Sequence, residues 1–208
     1  MRKLIVLGAV LAAIVVPAAS QAQDASKWIL AFRLGYAPAM GDAMSGQQMK
    51  DAIPSQVPLQ LDVLYKFTPE FAAGAYLSYG FGQLSSAESD ACNAAGVDCS
   101  MSTLRLGVEG TYTFVTANQF VPWLGLGFGY EGVTEKVALG GASASQNTDG
   151  WEFLNLQVGG DYKVSPKFAI GPYVMLQVGQ YSSIEGNSIP NKGTHEWLNV
   201  GVRGKFDL

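Results

Sequence analysis

His195 is the only histidine in the chain, and it stands beside Glu196. An imidazole next to a carboxylate could act as a general base in hydrolysis, but a base needs a nucleophile and an orienting partner. In a His-x-Ser deacylase pattern the serine would follow two residues on; Trp197 is there instead. One histidine and two cysteines also fall short of a metal-ligand set. The string Gly125-Leu126-Gly127-Phe128-Gly129 resembles part of a dinucleotide fingerprint. That motif needs a helix after the strand, whereas here glycine alternates along one face of a strand. No catalytic residue, metal or cofactor is therefore expected, and no enzymatic function. Cys92 and Cys99, the only cysteines, are close in sequence and are expected to form a disulfide once exported. The remaining candidates are charged residues that recur on one parity of apolar segments. They are Arg33, Asp62, Lys66, Arg105, Glu109, Glu131, Asp161, Arg203 and Lys205. Their signs nearly balance, and together they predict an interior polar network.

The elements that must position them are strands. Trp28, Leu30, Phe32, Leu34 and Tyr36 share one face, with Arg33 on the other. The same period of two returns in runs from Leu59, Phe71, Leu104, Phe120, Leu154, Phe168 and Leu198, making eight in all. Short connections near Thr68-Pro69-Glu70, residues 115–119 and Ser165-Pro166-Lys167 alternate with long polar ones near residues 38–57, 82–102, 132–150 and 182–195. The turn Tyr65-Lys66-Phe67-Thr68-Pro69-Glu70-Phe71 recurs as Tyr162-Lys163-Val164-Ser165-Pro166-Lys167-Phe168. Three tight turns and four long loops predict an all-β, eight-stranded antiparallel up-and-down barrel.

Alternation alone does not say which face is inside. The face opposite the apolar residues carries glycines, amides, hydroxyls and a few charges of both signs, whereas a water-facing surface is rich in Lys, Glu and Asp. The apolar face is almost wholly Leu, Val, Phe, Ile and Tyr, as a lipid-facing band is. Aromatic residues gather at both ends of the strands, as in membrane girdles. A strand of about 11 residues, at roughly 3.3 Å each and tilted by about 40°, rises roughly 28 Å, close to the apolar thickness of an outer membrane. Glycine on the inward parity is expected to make room for Arg33, Arg105 and Arg203. Trp123, Trp151, Phe153, Tyr173 and Trp197 also fall on that parity. They are expected to fill a narrow barrel; the alternative is that they line a passage for small apolar molecules.

Residues 1–22 read as a secretory signal peptide. Arg2 and Lys3 form its basic region, Leu4 to Val16 an apolar stretch of 13 residues, and Ser20-Gln21-Ala22 its cleavage site. Residues 23–208 then form the barrel domain. Without Arg2 and Lys3 the chain has 11 basic and 17 acidic side chains, net −6, which disfavours nucleic acid as a partner.

In this pattern the chain resembles the small eight-stranded outer-membrane proteins of Gram-negative bacteria, the OmpA transmembrane domain and OmpX group. The resemblance covers about residues 27–208. The last strand, Gly201 to Leu208, is similar to the signal read by the barrel-assembly machinery, although it ends in Leu208 rather than Phe. No periplasmic wall-binding domain is expected after it. The resemblance implies a monomer in the outer membrane, in contact with lipid and, during insertion, with the assembly machinery. It implies a structural or surface-interaction role through four long extracellular loops, whose ligand it leaves unspecified. The alternative is an OmpW-like channel or binding barrel for small hydrophobic molecules.

Overall fold

The computed structural model describes residues 27–114 and 116–208; the signal-peptide reading of residues 1–22 lies outside them. Eight long strands follow one another: β1 Trp28–Met44, β2 Ser55–Lys66, β3 Phe71–Gln83, β4 Asp98–Thr113, β5 Phe120–Leu139, β6 Ala142–Lys163, β7 Phe168–Ile184 and β8 His195–Asp207. Each pairs antiparallel with the next, and β8 pairs with β1 over Ile29↔Asp207 to Gly41↔His195. The ring is thereby closed, so ladder hydrogen bonds leave no edge facing lipid.

The outward face is apolar from end to end: Phe32, Leu34, Leu77, Leu106, Leu126, Val158 and Val202 are all exposed. Edge-to-face rings form two girdles. Trp28, Tyr65 and Phe67 are linked at centroid distances of 5.2 Å near the tight turns, as are Tyr112 and Phe114 at 5.1 Å. Tyr79 and Phe81 lie near the opposite end, 5.0 Å apart. The repeated turns share one local device. Thr68 Oγ1 accepts from the Phe71 amide (3.0 Å), and Ser165 Oγ accepts from the Phe168 amide (3.1 Å).

The long connections are more structured than their polar composition implies. The stretch 132–150, expected as a loop, is strand instead: β5 and β6 continue as a ribbon to a two-residue turn at Gly140 and Gly141. Both have positive φ, 55° and 89°, a hairpin conformation that glycine adopts without strain. The connection after β1 holds a short helix, α1 (Met49–Ala52), which buries Met49. The connection after β3 holds α2 (Ser86–Ala95), capped by Ser85, whose side chain accepts from the Glu88 amide. Cys92 of α2 is bonded to Cys99 of β4.

One departure from strict alternation changes the interior. The register of β6 against both neighbours shifts between Glu152 and Asn155, where Phe153 is inserted as a β-bulge. An extra residue flips the parity of everything beyond it. Trp151 and Phe153, expected inside, therefore face outward, 51% and 49% exposed, and Glu152 faces inward, fully buried. Trp151 joins the outer girdle by stacking on Phe128 (5.5 Å) and meeting Tyr130 edge-on (5.2 Å).

Candidate functional site: the polar interior

The inward parity of all eight strands converges on two charged layers inside the barrel. The layer nearer the tight turns is centred on Arg33 of β1. Its Nε donates to Asp62 of β2 (2.7 Å), one terminal nitrogen to Glu109 of β4 (2.9 Å) and the other to Gln157 of β6 (2.7 Å). Gln157 donates in turn to the second oxygen of Glu109, and Gln60 to the second oxygen of Asp62, both at 2.7 Å. Arg203 lies directly across the ladder from Arg33. Trp123 relieves the two like charges: its ring sits 4.3 Å from the Arg203 guanidinium and 5.5 Å from that of Arg33. Its indole N–H donates to Asp161 (3.1 Å), whose other oxygen is 3.9 Å from Arg203.

The second layer, nearer the long loops, is centred on Arg105 of β4. It donates to Glu131 of β5 (3.0 Å), and its Nε lies 3.7 Å from Glu152 of β6. The amide of Gln56, turned to donate to Thr103 (2.5 Å), presents its oxygen to both terminal nitrogens of Arg105, at 3.0 and 2.9 Å. One arginine faces two carboxylates here, and neutral donors supply the rest. Glu131 accepts from Tyr181 (2.9 Å) and Trp197 (3.1 Å), with His195 Nε2 at 3.2 Å. Glu152 accepts from Tyr76 (2.6 Å), Asn155 (2.8 Å) and Gln177 (2.6 Å). Such charge-assisted bonds are the strong ones in a dry interior.

Arg33, Asp62, Arg105, Glu109, Glu131, Asp161 and Arg203 thus all sit in these layers. Arg105 and Glu109 share a face of β4 but take different partners. Lys66 and Lys205 do not join the layers. They lie at the tight-turn mouth and share Asp207, at 2.5 and 3.7 Å, with side chains 26% and 17% exposed. Glu152 and Tyr76 were not singled out from sequence. A carboxylate on the apparent lipid-facing parity at position 152 was itself the signal of a bulge. Most inward glycines make room for aromatics and amides rather than for the arginines. A Cβ on Gly129 would stand 2.2 Å from the Tyr76 hydroxyl, one on Gly159 2.5 Å from the Trp123 ring, and one on Gly125 2.8 Å from Gln157.

Below the layers, Ile29, Ala31, Leu64 and Ala72 form a small apolar cluster beside the tight-turn mouth. Above them, Ala37, Ala39, Met49, Ile53, Met101, Val133, Tyr181, Ile189 and Trp197 form a larger one. His195 is buried, 1% exposed, and its ring stacks on Tyr181 at 4.1 Å. Its position is inside this packing rather than in an open cleft.

The sequence profile of the outer membrane protein beta-barrel domain matches residues 8–206. The chain belongs to this family. It is an integral outer-membrane β-barrel, and the apolar face described above lies against lipid. Among solved structures it is similar to Neisserial surface protein A, with 15% identity and a TM-score of 0.55, covering 89% of this chain and 100% of that one. It is also similar to the outer membrane protein OprG from Pseudomonas aeruginosa, with 17% identity and a TM-score of 0.50, covering 88% and 98%. At such identities the likeness is one of fold. No curated protein sequence matches the chain significantly.

Proposed function

We propose that this barrel is a closed, non-enzymatic mount that acts through its extracellular face. The observation that carries the reading is the filled cross-section. Arg33, Arg105, Tyr76, Trp123, Met175 and Trp197 are each 2% exposed or less and occupy the lumen from wall to wall. An eight-stranded barrel has just enough interior for such side chains, and ions gain nothing from entering a space whose charges are already paired. On the other side, the ribbon, the disulfide-tethered helix α2 and α1 give the extracellular face a defined shape. The protein works as a monomer, and the assembly machinery is its partner only during insertion. A passage for small hydrophobic molecules would require the Arg105 layer and the apolar cluster above it to part.

Liposome swelling tests the reading. Vesicles carrying the folded protein should swell in arabinose no faster than empty vesicles. Swelling that rises with protein content would overturn it in favour of a channel.

A further inference from the structure

Between α1, the ribbon and β7, a cavity of about 350 Å³ opens at the long-loop end of the barrel. Its apolar wall comes from Met44, Met49, Ile53 and Tyr181, all part of or packed against the cluster that caps the Arg105 layer. Three carboxylates also line it, Asp51 in α1, Glu88 on α2 and Glu135 on β5, and among the described residues no lysine or arginine does. The strand register explains part of this. Glu135 pairs with Gln146, and Val133 with Thr148, so these four side chains share the ribbon face that forms the cavity wall. Glu135 is exposed at the rim, and its partial desolvation and then the nearby charge of Glu88 push its carboxyl up from its ordinary value, as for a carboxylate without a counterion.

We propose that this cavity is a binding site for a small lipophilic ammonium cation, its apolar body on the methionine-lined wall and its N–H donors toward Glu88 and Glu135. The volume lies at the small end of ligand sites. Methionine thioethers adapt to varied apolar shapes. The negative rim attracts a cation and disfavours an anion of the same size. Carboxylate acceptors with a single aromatic ring suit an N–H-bearing ammonium rather than a quaternary one, which is held by several ring faces. The cavity is blind, because the apolar cluster and the Arg105 layer lie beneath it, so the inference is of binding and not of passage. It rests on the reading above only in assigning contacts to the extracellular face; currents through the barrel would overturn that reading and leave this measurement untouched.

The test uses the folded full-length protein in zwitterionic nanodiscs, with 4-phenylbutylammonium as probe and empty nanodiscs subtracted. Saturable one-site binding is expected. It should weaken at least tenfold for 4-phenylbutanol, which lacks the charge, and for methylammonium, which lacks the body. The Glu88→Gln/Glu135→Gln double variant should lose at least tenfold in affinity while keeping its heat-dependent gel shift. No saturation above empty nanodiscs would overturn the proposal. So would equal binding of methylammonium, which would mean an acidic rim only, or unchanged binding in the double variant.

Discussion

At the scale of single residues, the interior is held by unequal partners. Arg105 is the one arginine among two buried carboxylates, so Arg105→Ala would strand Glu131 and Glu152 together. Removing one member of a buried ion pair costs about 3–5 kcal/mol. Arg105→Ala should lower folding stability by that order in a denaturant titration from lipid vesicles. Tyr76→Phe removes only a neutral donor to Glu152, and about 1–3 kcal/mol is expected in the same titration. A variant ranking with Tyr76→Phe the more damaging would contradict the layered arrangement. The charged residues of these layers were legible as inward parity on strands. The pair of Arg33 with Asp62 on the neighbouring strand was legible too; partners farther across the barrel were not, because they depend on stagger and side-chain reach, which alternation does not encode. Glycine spacing was legible as room, but not as room for Tyr76 and Trp123 in particular.

Elements show where alternation was sufficient and where it failed. Period-two patterning located all eight strands, because each strand is read independently of the others, and the glycines, amides and few charges of the opposite face told which face meets lipid. It failed at Phe153, where one inserted residue reverses the parity of Trp151 and Glu152. Deleting Phe153 should therefore restore strict alternation and both registers while leaving Glu152 in the lumen and Trp151 against lipid. The deletion variant is expected to keep the heat-dependent gel shift of a folded barrel; loss of the shift would mean that the bulge itself is required for folding. The stretch 132–150 was misleading for a different reason. Its polar composition is that of a loop, yet it pairs with itself outside the membrane, where a ribbon needs no apolar face. The bridge between Cys92 and Cys99 closes a short ring, worth roughly 2.5 kcal/mol in the loop-entropy model. That energy acts on α2, whose residues include none that is buried, and not on the barrel. Cys92→Ser/Cys99→Ser should leave the barrel's denaturation midpoint unchanged and speed protease cleavage between Ser86 and Asp98. Equal cleavage rates with and without the bridge would show that α2 is held by other contacts.

The whole molecule divides into three zones stacked along the barrel axis: a lysine-bearing mouth at the tight turns, two charged layers packed with aromatics, and an apolar cap beneath an acidic cavity at the long-loop end. Closure of the sheet satisfies the backbone within lipid, and the charged layers answer the separate question of what fills the space it encloses. A barrel built this way should run differently in detergent gels before and after boiling, since the ladder resists detergent until heated. The most direct test of the account is the current through the purified, folded wild-type protein in planar lipid bilayers. The filled lumen predicts a trace that stays at the baseline of protein-free bilayers across the applied voltages. Steady single-channel steps from the folded protein would contradict it.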